Sequence, residues 1–183
     1  LPQWAATIPK DVLALARAFW PGPLTLILRR TPEVPDEVTG GQDTVGLRVS
    51  NHPLALELLR AFDGGIAAPS ANRFGHVSPT TARHVRDELG DAVAMILDGG
   101  PCQVGIESTI VDLTGERTTI LRPGMVSAHD LGKVLGRVPA VVGAAGAAGA
   151  TDMPRVSGSL AAHYAPRTPL ALLQPDVVIF AVR

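Results

Sequence analysis

The stretch Ala67-Ala68-Pro69-Ser70-Ala71-Asn72-Arg73-Phe74-Gly75 places a serine and an asparagine two residues apart, after an apolar run that ends in proline. Both side chains donate well to phosphate or carboxylate oxygens. The ends of strands in open α/β sheets are where ligands collect. Composition alone favours a plainer role, a polar turn that satisfies its own backbone. Ser78 precedes Pro79 at the start of a helical pattern, where it would cap the helix; the free N–H groups there also suit phosphate. Arg48 lies within a strand pattern, as a solvated surface residue or as a fork for an anion. Thr44 shares its face about 13 Å away, at about 3.3 Å per residue. Ser108 sits where one strand begins and Arg122 where another ends.

Other chemistry is not indicated. Cys102 has no catalytic histidine pattern around it and reads as a small buried residue. The five histidines lack metal-ligand spacing, so no metal cage is predicted. Neither common glycine-rich phosphate loop occurs.

These residues must be positioned by regular elements. Pro9 opens a helix with an apolar stripe at Val12, Leu13, Leu15, Ala16 and Phe19, and Trp20-Pro21-Gly22-Pro23 ends it. Strands are predicted over 24–28, 44–50, 65–69 (short and buried), 94–97, 109–113 and 118–121. Over 44–50, Val45, Leu47 and Val49 share one face and Thr44, Gly46, Arg48 and Ser50 the other. Helices are predicted over 53–62, 78–89 and, capped by Ser127, to Leu135. Interleaved strands and helices make the class α/β, and the short Thr114-Gly115-Glu116 connection favours a mixed sheet.

Residues 141–151 read VVGAAGAAGAT, a linker composition, since glycine costs about 1 kcal/mol against alanine in a helix. The order is a first domain over 1–136, a linker over 137–168, and the beginning of a second domain over 169–183. The 183 residues are 46% hydrophobic and 4% aromatic, so aliphatic side chains must fill the core. The net charge of -1 argues against a nucleic-acid module held by bulk positive charge. One cysteine excludes an internal disulfide. No apolar run is long enough for a membrane helix. Lacking an initial Met and ending in the strand-like Val177-Val178-Ile179-Phe180, the chain is expected to be incomplete at both ends.

Taken in order, Phe19-Trp20-Pro21-Gly22-Pro23-Leu24-Thr25, Val45-Gly46-Leu47-Arg48-Val49, Ala68-Pro69-Ser70-Ala71-Asn72, Ser78-Pro79-Thr80, Ser108-Thr109-Ile110-Val111-Asp112 and Leu121-Arg122-Pro123-Gly124 resemble the YrdC-domain family across about residues 9–135. His163-Tyr164-Ala165-Pro166 resembles the linker of its longer members, which add a small Rossmann-like domain. The resemblance implies a twisted open mixed sheet with flanking helices. It implies formation of threonylcarbamoyl-AMP from L-threonine, bicarbonate and ATP, with release of pyrophosphate, for modification of adenosine 37 of tRNA by a downstream transfer machinery.

By the same resemblance, Thr44, Ser70, Ser78 and Arg122 contact ATP, and Tyr164 folds back over the nucleotide. Arg48, the backbone at Ala68, and Ser108 contact threonine. Ser70 and Asn72 form the S-x-N signature and carry the catalytic role. Mg²⁺ is expected with the ATP, without identified protein ligands, and the cytoplasm is the expected compartment. The family's K-x-R signature does not occur in these residues, and Lys10 lacks its context; the 183 residues alone are expected to be inactive. Two other readings are a YrdC domain of a carbamoyltransferase and a non-catalytic double-stranded RNA or tRNA-binding module using Arg29-Arg30 and Arg83-His84-x-Arg86. The linker motif favours the synthase, and the net charge makes those basic residues an ordinary solvated surface.

Overall fold

The computed structural model describes residues 1–142 and 153–157; the expectations for the Ala/Gly linker, Tyr164 and the second domain lie outside the described residues. Helices α1 (Lys10–Phe19), α2 (Asp36–Thr39), α3 (Pro53–Phe62), α4 (Ala82–Leu89) and α5 (Ala128–Leu135) accompany strands β1 (Leu24–Arg29), β2 (Thr44–Leu47), β3 (Thr109–Asp112), β4 (Thr119–Arg122) and β5 (Ala140–Val141). The strands form one sheet in the order β2-β1-β3-β4-β5. β1 runs antiparallel to β2 and parallel to β3, and β4 runs antiparallel to β3 and parallel to β5. The sheet is mixed, as the short connections predict.

One face of the sheet is the core. Leu24, Leu26 and Leu28 of β1, Val111 of β3 and Ile120 of β4 pack with Val12 and Leu15 of α1 and Leu131 of α5. Each such leucine withdrawn from water contributes about 1.5–3 kcal/mol. The α1 stripe is narrower than the sequence suggests, because Leu13 stays 43% exposed. Thr109, fully buried, binds the Val126 backbone in both directions, donating to its O at 2.9 Å and accepting from its N at 3.1 Å.

The register sets the opposite face. Leu26 pairs with Leu47 and Leu28 with Val45, so these lie on the core side. Ile27 pairs with Gly46 and Thr25 with Ile110, on the other side. Alternation along one strand then puts Thr44 and Arg48 with Gly46, and Ser108 with Ile110. Arg122 joins this face through a bulge: Val111 pairs with Ile120, yet the next residue along, Ile110, pairs with Arg122. Leu121 is the extra residue, and it turns Arg122 to the side opposite Ile120.

Several predicted elements differ. Residues 65–69 and 94–97 are not strands, and 65–69 are exposed rather than buried, because neither run finds a pairing partner among the described residues. β2 ends at Leu47, so Arg48 lies just past its end rather than within it. Ser78 does not cap a helix: α4 starts later, where the Thr81 hydroxyl accepts the His84 N–H at 3.2 Å. Cys102 is exposed. Ser127 does cap α5, accepting from Asp130 N.

Candidate functional site

The turn at Trp20-Pro21-Gly22-Pro23 locks the start of β1 between two strand ends. Gly22 N donates to Val49 O at 2.8 Å, and Thr109 N donates to Pro23 O at 3.0 Å. A Cβ on Gly22 would stand 2.3 Å from Phe19 O, so only glycine fits this turn. Arg48 reaches back to the same turn, donating from Nε to Gly22 O at 2.9 Å. The start of β1, the exit of β2, the start of β3 and the end of β4 therefore meet at one end of the sheet's second face.

Ser108 is the centre of that meeting. Its Oγ lies 2.8 Å from Thr25 Oγ1. Arg122 donates to Ser108 twice, from Nε to O at 3.0 Å and from Nη2 to Oγ at 3.1 Å. Gly124 presses against the same backbone: a Cβ there would lie 2.5 Å from Thr109 N and 2.7 Å from Glu107 O. The Arg122 side chain is 11% exposed and also faces Glu107 Oε2 at 3.7 Å. Its Nη1 donates to Ser157 O at 3.1 Å and Ser157 Oγ at 3.0 Å.

Residues 153–157 thus cross the site's edge. They are fastened at their other end by Gln42, which accepts from Arg155 N at 2.6 Å and donates to Arg155 O at 3.2 Å.

Glu107 links this cluster to the loop after α3. Ser78 Oγ donates to Glu107 Oε1 at 2.6 Å and lies 3.4 Å from Asn72 Oδ1. A cavity of about 310 Å³ opens beside the link, lined among others by Ser70, Ser78, Thr80, Thr81, Cys102 and Glu107. The charges sense one another. Burial pushes the Arg48 guanidinium below its ordinary value, the Glu107 carboxylate opposes that push, and the neighbouring Arg122 charge adds to it. Two guanidinium groups, one carboxylate and three hydroxyls make a net-positive patch suited to an anion with several oxygens.

Of the residues singled out from sequence, Asn72 and Ser78 are hydrogen-bonded toward Glu107, the Glu107–Arg122 ion pair carries the link on, and Arg122 is hydrogen-bonded to Ser108, with Arg48 beside it. Ser70 lines the cavity. Ala68 is exposed on the same loop. Thr44 lies on the same sheet face but at the far end of β2, buried and opposite Arg29. Tyr164 lies outside the described residues. Thr25 and Glu107 carry no role in the sequence reading, although Thr25 ends the first family motif and Glu107 directly precedes the one that starts at Ser108. Among the described residues no group of three or more His, Cys, Asp or Glu side chains is placed to hold a metal ion. Among the same residues no helix is long and apolar enough to cross a membrane.

Comparison with known proteins gives a consistent result. The family model Sua5_yciO_yrdC, described as telomere recombination, matches residues 1–124. The threonylcarbamoyl-AMP synthase of Pyrococcus abyssi is 40% identical over 173 residues, 93% of this chain and 49% of that protein. That of Bacillus subtilis is 40% identical over 167 residues, 91% of this chain and 47% of that protein. The crystal structure of P. abyssi Sua5 complexed with L-threonine superposes with a TM-score of 0.82 at 41% identity, covering 90% of this chain and 48% of that one. E. coli YciO superposes with a TM-score of 0.64 at 25% identity, covering 71% of this chain and 63% of that one. The chain spans about half the length of the curated relatives it matches.

Proposed function

Since the chain belongs to the Sua5–YciO–YrdC family, we propose that the full-length protein is a threonylcarbamoyl-AMP synthase, using L-threonine, bicarbonate and ATP. The observation that carries this reading is the Arg48–Ser108–Arg122 cluster, in a fold shared with a Sua5 that binds L-threonine. In this reading Arg48, Ser108 and the Ala68 backbone hold the threonine carboxylate and hydroxyl, while Ser70, Ser78 and Arg122 hold the phosphates. Asn72 supports the S-x-N loop, and Thr44 takes the far end of a ligand that spans the sheet face. The threonine amine bonds to the bicarbonate carbon, a C–O bond breaks and water leaves, which gives a carbamate. Its oxygen attacks the α-phosphorus of ATP, the bond to the β-phosphate oxygen breaks, and pyrophosphate leaves.

The site's own residues orient the two reactants and neutralise charge on the transferring group. Mg²⁺ carried by the ATP would add to that neutralisation. The product is a mixed anhydride, so a transferase acting on adenosine 37 of tRNA must consume it, and the cytoplasm is its natural compartment. Pyrophosphate release by the full-length protein, requiring both threonine and bicarbonate, with threonylcarbamoyl-AMP detected by mass spectrometry, is the expected result. Release that ignores threonine, or that requires carbamoyl phosphate instead, overturns the reading.

A further inference from the structure

The loop over residues 70–78 brings Ser70, Asn72 and Ser78 to the cavity, yet it belongs to no helix or strand. Its shape comes from side-chain bonds. Asn72 Nδ2 donates to Arg73 O at 2.9 Å and to His76 O at 3.1 Å. His76 N donates to Arg73 O at 3.0 Å, and Gly75 supplies the left-handed φ of +81° that closes the turn.

This closed turn is tied to α4 at Glu88. The Glu88 Oε1 accepts Arg73 N at 3.1 Å and the His76 Nδ1–H at 2.6 Å, and Glu88 O accepts Arg73 Nε at 3.1 Å. The Glu88 side chain is 19% exposed. Its helix neighbours Arg83 and Asp87 instead pair with each other in solvent, 88% and 65% exposed. A carboxylate drawn out of water in this way requires partners, and both of these carboxylate contacts, Arg73 N and His76 Nδ1, are on the loop. Glu88 does not line the cavity; α4 meets the cavity through Ala82 and Val85.

We propose that Glu88 is a positioning residue: through Arg73 and His76 it holds the 72–78 turn in the shape that presents Asn72 and Ser78 to the bound nucleotide. The ligand's identity rests on the proposed function; the tie itself does not. A loop fastened before binding loses less freedom on binding, which is preorganisation in a stretch that has no backbone ladder to supply it.

The test uses the full-length protein. Glu88→Ala is expected to speed amide exchange over 72–78 at least about threefold while leaving β1 and β3 unchanged. It should weaken ATP binding about fivefold to tenfold and threonine binding by less than about twofold. Glu88→Gln keeps an acceptor for Arg73 N and for the His76 Nδ1–H, and should restore most of both. His76→Ala cuts one of the two carboxylate contacts from the loop side, and the double variant should lose little more than Glu88→Ala alone. If the alanine variant does not fold, His76→Ala and Glu88→Gln carry the same comparison. Unchanged exchange over 72–78, additive losses in the double variant, or equal losses of ATP and threonine affinity would overturn the proposal. If wild-type protein binds no ATP, the proposed function fails, and the exchange comparison still decides the role of Glu88.

Discussion

Arg122 grips Ser108 at two points, its carbonyl and its hydroxyl, at 3.0 and 3.1 Å. The proposed function gives these two residues different ligands, Arg122 to ATP and Ser108 to threonine, so in that reading the two binding sites share a strut. Arg122→Ala in the full-length protein should therefore weaken both ligands, ATP by about tenfold to a hundredfold, as expected for a lost charged hydrogen bond of about 1.5–3 kcal/mol. Arg48 has its own anchor at Gly22, so Arg48→Ala should impair threonine alone by a similar factor. Separate titrations of each ligand measure this. An Arg48→Ala variant that loses both equally would contradict the assignment.

Gly124 offers a test that touches no charged group. Its missing Cβ leaves room for backbone at Thr109 and Glu107, neither of which can swing aside like a side-chain tip. Gly124→Ala is expected to destabilise by about 1–3 kcal/mol through overpacking. It should also displace Ser108, lowering threonine affinity. Denaturant unfolding and threonine titration on the same variant check the pair; stability lost with affinity intact would mean that the sheet yields elsewhere.

The cap of α5 is sensitive to pH. Ser127 Oγ donates to Asp130 Oδ2 at 2.6 Å and accepts Asp130 N at 3.1 Å. Bonding to Ser127, then to Lys133, holds the Asp130 carboxyl below its ordinary value. A depressed acid contributes stability that is present above its unfolded pKa and lost as pH falls through its folded one. Ser127→Ala should cost about 1 kcal/mol near neutral pH from the lost cap. The difference from wild type should narrow in acid, once Asp130 is protonated in both. Urea unfolding of the two proteins at neutral and strongly acid pH is the measurement, and a constant difference would separate the cap from the carboxylate.

Lysine occurs only at positions 10 and 133, and no Lys-x-Arg is present in the 183 residues. Those residues by themselves should release no pyrophosphate from ATP with threonine and bicarbonate, because the proposed reaction needs more cation around the triphosphate than Arg122 provides. Threonine-dependent turnover by the isolated 183 residues would show that the site described is already sufficient.

Periodicity foretold the elements that have both a clear pattern and a neighbour to pair with. Alternation across β2 correctly divides Val45 and Leu47 from Thr44 and Gly46, since nothing interrupts that strand. The same alternation misleads at β4, where it would put Ile120 and Arg122 on one face; the extra residue of a bulge is invisible without the partner strand. The apolar runs at 65–69 and 94–97 have strand composition, but hydrogen bonds to a neighbour make a strand and composition does not supply one. Glu88 looks like any solvated glutamate on a polar helix, and only the return of Arg73 and His76 to its side gives it a task.

The central pair of the sheet, β1 and β3, is parallel, and its strands are separated in sequence by everything from residue 30 to residue 108. That excursion holds Arg48, Ser70, Asn72 and Ser78, and the core closes over it as the base of a long loop. Closing such a loop grows more costly only with the logarithm of its length, about 0.6 kcal/mol for each doubling. Only the part beyond β2 is nearly decoupled from the thermodynamics of the sheet: residues can be gained or lost between 48 and 108 while β2 keeps its pairing with β1 and Leu24 continues to pair with Thr109. The penalty falls on kinetics, since this pairing must wait for distant chain to meet. A fold built this way tolerates change in its long loop and gathers its sheet slowly.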